Sequence, residues 1–169
     1  FHVHAFPDSI AQNAVKALES KAKIKASGDG TVTSILSSME KSGVDYSVLC
    51  PVSTKASQVT TINNWIMELN YKNIVSFGTL FPGMEEPEKE AERLFLSGIK
   101  GIKLHPDYQN FFIDDEIAYP IYDACSKYGL IVLFHAGTDI GLPPPVHATP
   151  EAMAFVADNW PKMKIIAAH

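Results

Sequence analysis

The chain has 169 residues, 46% of them hydrophobic and 20% charged, which is enough for one domain with a real core and ordinary for a globular protein. Its net charge of -5 argues against a nucleic-acid or anionic-membrane binder, and Arg93 is its one arginine, so bidentate anion clamps are scarce. No apolar run reaches the roughly 18 residues of a membrane span.

The first residues, FHVHAFP, place His2 and His4 one residue apart, so on a strand both face the same way. Residues 9–26 read as a long helix. Five short apolar runs follow, at 44–50, 74–80, 99–104, 130–134 and 163–168, each rich in β-branched or aromatic residues as buried strands are. Their starts lie 25 to 33 residues apart, the length of one strand–helix unit. Amphipathic segments at 34–41, 59–70, 87–97, 116–128 and 150–159 fill the gaps. Glu86-Pro87-Glu88 and Thr149-Pro150-Glu151 are helix starts, and Gly98 and Gly129 are helix stops. Asp114-Asp115-Glu116 is an acidic cluster suited to a helix N-terminus. Pro143-Pro144-Pro145 is a stiff loop. Trp65 and Trp160 pack helices onto strands.

Strict alternation of strand and helix implies a parallel sheet covered by helices, either an open doubly wound sheet or a (β/α)8 barrel. No G-x-G-x-x-G or P-loop pattern follows a strand, which weakens the nucleotide-binding open sheet. Cys50 and Cys125 are isolated in apolar runs. They read as free thiols of a reducing, cytoplasmic setting, with Cys50 either lining a pocket or filling the core.

Four of the six histidines end a strand: His4, His105, His135 and His169. His2 shares the face of His4, and His147 lies in the long loop after the fifth run. Carboxyl ends of parallel strands form the functional face of such folds, so five histidines are expected to converge there. Imidazole suits zinc and similar divalent ions, and a catalytic site needs about three protein ligands and an open position. His2 and His4 would supply two, and His135 is well placed to be the third. In Gly101-Ile102-Lys103-Leu104-His105, alternation turns Ile102 and Leu104 to the helices and Lys103 and His105 to the interior. There Lys103 is a carbamylated ligand, a general acid, a substrate-carboxylate partner or a plain ion-pair member. Asp139, just past His135, contacts substrate or caps its loop.

Four segments carry a family resemblance: FHVHAFP, GIKGIKLHPDYQNFFIDD, PIYDACSKYGLIVLFHAGTD and MKIIAAH. In order and at this spacing, the chain resembles the amidohydrolase superfamily, in the amidohydrolase-2 group that includes aminocarboxymuconate-semialdehyde decarboxylase. The resemblance implies a single (β/α)8 TIM-barrel domain, of which residues 1–169 cover the end of strand 1 through strand 6. It implies one divalent metal ion, zinc, on His2, His4 and His135. It implies that His169 holds or activates the attacking water, and that Lys103 occupies the fourth strand, where some two-metal relatives carry a carbamylated lysine. His105, Asp139 and His147 are expected to bind substrate. The last family residue, an aspartate at the end of an eighth strand, has no counterpart in this sequence. A barrel of about 250 residues would need roughly 80 to 100 more, so the sequence reads as an internal piece of a longer chain.

The resemblance implies a metal-dependent hydrolase acting on an amide, ester or lactone of a small molecule. Non-oxidative decarboxylation on the same scaffold is the alternative, and a non-catalytic ligand-binding barrel is the reading from another class. The expected partner is a small-molecule substrate, with no nucleic acid and no membrane, and a homodimer is compatible with the fold.

Overall fold

The computed structural model describes residues 1–139 and 141–169. Strand β1 (His2–Val3) leads into helix α1 (Asp8–Ala22) and helix α2 (Val32–Ser42). Strand β2 (Ser47–Leu49) is followed by α3 (Val59–Glu68), then by β3 (Ile74–Ser76) and β4 (Gly78–Thr79). Helix α4 (Pro87–Leu96), β5 (Gly101–Leu104), the short α5 (Pro106–Gln109), α6 (Tyr119–Tyr128), β6 (Ile131–His135), α7 (Pro150–Asn159) and β7 (Lys164–Ala168) complete the described strands and α-helices.

All strand pairs are parallel, in two sheets ordered β1-β2-β3 and β4-β5-β6-β7. The single strand expected over 74–80 is therefore divided. Its first half bonds to β2, with Leu49 opposite Ser76, and its second half bonds to β5, with Gly78 opposite Ile102. Phe77 joins the halves and still donates its N–H to the Leu49 carbonyl at 2.9 Å. One extended run thus serves both sheets, so the six expected strands follow one another in spatial order.

Helix boundaries follow local chemistry. Thr31 and Thr149 cap α2 and α7, accepting from Ser34 N–H at 3.1 Å and Ala152 N–H at 3.2 Å. Gly43 and Gly129 close α2 and α6 with positive φ, where a β-carbon would be strained. The helix expected over 9–26 stops at Ala22 because Lys23 turns left-handed at φ 55°. The acidic cluster at 114–116 precedes a 3-10 turn, Glu116–Ala118, and the α-helix starts only at Tyr119. Helix α5 was not expected. It arises where Pro106 fixes the first turn and His105 caps it, its side chain accepting from Tyr108 N–H.

The main core lies between strands and helices, with Leu49, Ile66, Leu94, Ile102, Leu104, Tyr122, Val132 and Phe134 fully buried. Trp65 and Trp160 pack against it, as expected, with Trp160 just past α7 and its indole N–H on Asp123 at 2.7 Å. A smaller cluster of Cys50, Phe77 and Leu133 fills the opposite face of the strands, together with Val48, Ile131 and Ala168. Both cysteines are free and buried. Gly101 is required by close approach: a β-carbon there would sit 2.5 Å from the Ile131 carbonyl oxygen and 2.7 Å from the Phe77 ring. Among the described residues, no helix is long and apolar enough to cross a membrane.

Candidate metal centre

Parallel register brings the strand ends to one level. His2 pairs with Val48, Lys103 with Leu133 and His135 with Ala168, so His169 emerges directly beside His135. The outcome is a continuous run of rings. His4 lies 5.4 Å from His2, His2 lies 5.1 Å from His169, and His169 lies 4.9 Å from His135. His135 stacks on His105 at 4.1 Å, and His105 stacks on Tyr108 at 4.1 Å. Five of the predicted site residues are thus in one row. His147 stands apart from this row, against Asp107 at 2.8 Å and the Phe112 ring at 4.5 Å.

The electrostatics favour the neutral form of His2, His4, His105 and His135. Burial, followed by the charge of Lys103, lowers the His2 pKa to about 4. Burial and then the neighbouring His135 lower His105 to about 2. Burial also pushes His4 and His135 below their usual value, against an opposing hydrogen bond to the Cys50 carbonyl for His4 and the Asp139 charge for His135. Neutral histidines have lone pairs to offer.

Lys103 is fully buried, faces these rings and leaves its Nζ without a hydrogen-bond partner among the described residues. Burial lowers its pKa to about 8. The expectation that Ile102 and Leu104 turn to the helix layer holds, since both belong to the main core.

Two further observations bear on a metal. His4 Nδ1 lies 2.6 Å from the Cys50 carbonyl oxygen, which can only accept, so Nδ1 carries the proton and Nε2 is left with its lone pair. A ligating histidine ordinarily gives its second N–H to such a carbonyl. His135 Nε2 is buried and has no hydrogen-bond partner among the described residues. An orphaned imidazole nitrogen among neutral histidines fits a divalent ion. Asp139 adds a carboxylate, its Oδ2 being 3.5 Å from His105 Nε2 and 3.5 Å from His135 Nε2. Ligand atoms of His105, His135 and Asp139 all lie within 4.8 Å of one another.

The family profile described as Amidohydrolase matches residues 1–169. The chain belongs to the amidohydrolase family. Solved structures similar to it include 5-carboxyvanillate decarboxylase LigW from Sphingomonas paucimobilis, at 17% identity and a TM-score of 0.65, covering 99% of this chain and 67% of that one. A 5-carboxyvanillate decarboxylase from Novosphingobium aromaticivorans, with bound manganese and 3-methoxy-4-hydroxy-5-nitrobenzoic acid, has 15% identity and a TM-score of 0.66, covering 99% and 64%. The 4-oxalomesaconate hydratase LigJ from Rhodopseudomonas palustris has 19% identity and a TM-score of 0.60, covering 100% and 61%. A comparison with curated proteins gives no match. These likenesses fix the architecture: the parallel strands and outer helices of this amidohydrolase are part of a TIM barrel. The chain spans about two-thirds of the length of these structures.

Two residues that support the site were not singled out in the sequence. Gln109 reaches from α5 to the Leu80 carbonyl at 2.7 Å and accepts from His105 N–H at 2.9 Å, which holds the histidine in place. Asp107 anchors His147. The sequence signal for both was the Pro106 that starts their helix, but their partners lie 40 and 29 residues away.

Proposed function

We propose that this amidohydrolase is a metal-dependent hydrolase of a small molecule carrying an amide, ester or lactone bond. The observation that carries the reading is the buried, unpartnered Nε2 of His135 among neutral histidines at the strand ends. His2, His4 and His135 would hold one divalent ion, and three imidazole nitrogens favour zinc. Such an ion, when bound, supplies a Lewis acid that polarises a carbonyl oxygen and makes a water acidic near neutral pH.

This chain's own residues do the rest. His169, in contact with both His2 and His135, takes the proton from the attacking water and returns it to the leaving group. Lys103 stays largely protonated at neutral pH and presents a positive charge to an oxygen or carboxylate of the substrate. His105 lines the site beside His135, and Asp139 supplies an acceptor for a substrate hydroxyl or amide. His147 orients the loop that follows β6 through Asp107.

A second reading, non-oxidative decarboxylation, is favoured by one observation. Lys103 is an interior cation unpaired among the described residues and suited to a carboxylate, whereas Arg93 is spent on Glu90 and Asn64 in the outer layer. A panel of esters, lactones, amides and phenolic carboxylates separates the readings. Hydrolysis that disappears in a His2→Ala/His4→Ala variant supports the first. Carbon dioxide release without hydrolysis supports the second. Hydrolysis that survives the double change refutes the metal mechanism.

A further inference from the structure

His105 could be counted as a metal ligand by proximity, but its tautomer argues otherwise. The Tyr108 backbone N–H donates to His105 Nδ1 at 3.4 Å, forming the cap of α5. A nitrogen that accepts an N–H bond carries no proton of its own, so in the neutral ring the proton sits on Nε2. Nε2 of His105 therefore carries the proton and lies 3.5 Å from Asp139 Oδ2, so it faces that oxygen as an N–H group and not as a lone pair for an ion. His135 differs, since its Nε2 has no partner among the described residues.

Asp139 is fixed from both sides. The Gly141 N–H donates to Oδ1 at 2.7 Å, which turns Oδ2 towards the two rings. Its side chain is nearly buried, with 12% exposure. Two N and O donors of one divalent ion, with bonds of about 2.0–2.2 Å, stand about 3 to 3.5 Å apart. Asp139 Oδ2 and His135 Nε2 are 3.5 Å apart and share no hydrogen bond.

We propose that Asp139 is the carboxylate ligand this chain contributes to the ion on His135, and that His105 is the positioning residue that aims it through Nε2–H. The inference rests on the metal-centre reading above. It assigns an anionic ligand from the loop after β6, which offsets one of the ion's two positive charges, and it leaves His105 in the surrounding layer of groups that hold ligating carboxylates.

The test is metal affinity of the purified, chelator-stripped protein. Zinc is titrated against a chromophoric chelator, and the visible spectrum of the cobalt-loaded form reports the ligand field. Asp139→Asn keeps the shape and removes the charge. His105→Asn keeps a capping oxygen for Tyr108 N–H but is too short to reach Asp139. Circular dichroism establishes that both variants are folded. Asp139→Asn is expected to weaken zinc binding by more than about 10-fold and to change the cobalt spectrum, and His105→Asn to weaken it by about 10-fold without removing the site. Wild-type affinity and spectrum in Asp139→Asn would overturn the ligand assignment while leaving the metal centre standing. Wild-type affinity in His105→Asn would overturn the positioning role. A wild-type protein that binds neither metal would overturn the metal reading and this inference together.

Discussion

Replacing Asn63 by alanine is predicted to destabilise the fold far more than its helical, polar character suggests. Asn63 is fully buried on α3 and faces the divided strand. Its Nδ2 donates to the Thr79 carbonyl at 2.9 Å and to Glu90 Oε1 at 2.7 Å, and its Oδ1 accepts from Thr79 N–H at 2.9 Å. It therefore satisfies both backbone groups of a residue with no exposed surface. Alanine leaves those two groups without partners and no route to water. At about 1–3 kcal/mol for each stranded group, the expected loss is roughly 4 kcal/mol, with a small cavity added. Glu90 keeps Arg93, whose guanidinium donates to both carboxylate oxygens at 2.9 and 2.6 Å, so the acid itself is not abandoned. Thermal unfolding should show a Tm lowered by about 8–16 °C, from about 2–4 °C per kcal/mol for a domain of this size. Arg93→Ala, at a partly exposed position, should cost much less. An Asn63→Ala protein melting within about 2 °C of wild type would refute the idea that this side chain secures the junction between the two sheets.

Three further outcomes follow from the same structure. Because burial lowers the Lys103 pKa to about 8, the folded state binds fewer protons than the unfolded chain between about 8 and the ordinary lysine value of about 10.4. The stability of the metal-stripped protein should therefore rise with pH across that window, by roughly 3 kcal/mol, and the rise should vanish in Lys103→Met, as urea unfolding at several pH values would show. The same variant should lose turnover by about 100-fold or more while melting no lower than wild type at pH 7, since it removes a buried charge that has no partner among the described residues. Gly101→Ala should lower stability by about 1–3 kcal/mol or more, measured by denaturant midpoint, because its β-carbon meets the Ile131 carbonyl oxygen, which cannot move without breaking β5 from β6.

Much of the architecture was readable because its signals are local. Strand runs, Thr-Pro helix starts and closing glycines each speak for their own few residues, and the spacing of histidines at strand ends pointed to one face. What was not readable depends on distant partners. The break at Phe77 exists because Leu49 and Ile102 lie on different neighbours of one extended run. The Asn63–Thr79–Glu90 linkage joins residues 16 and 27 positions apart. His105 was expected in the interior and is there, yet its role as the cap of α5 depends on a helix that only Pro106 announced. The orphan state of His135 Nε2 and Lys103 Nζ, on which the proposed chemistry rests, is a property of what surrounds them and has no trace in their spacing.

If His2, His4 and His135 hold a divalent ion, the purified protein carries it and His135→Ala does not. Elemental analysis with native mass spectrometry on both proteins should find about one zinc per chain in the wild type and at least a 10-fold loss in metal content or affinity in the variant. A wild-type protein that stays metal-free in excess zinc or manganese, or a variant that retains the ion in full, would contradict this assignment.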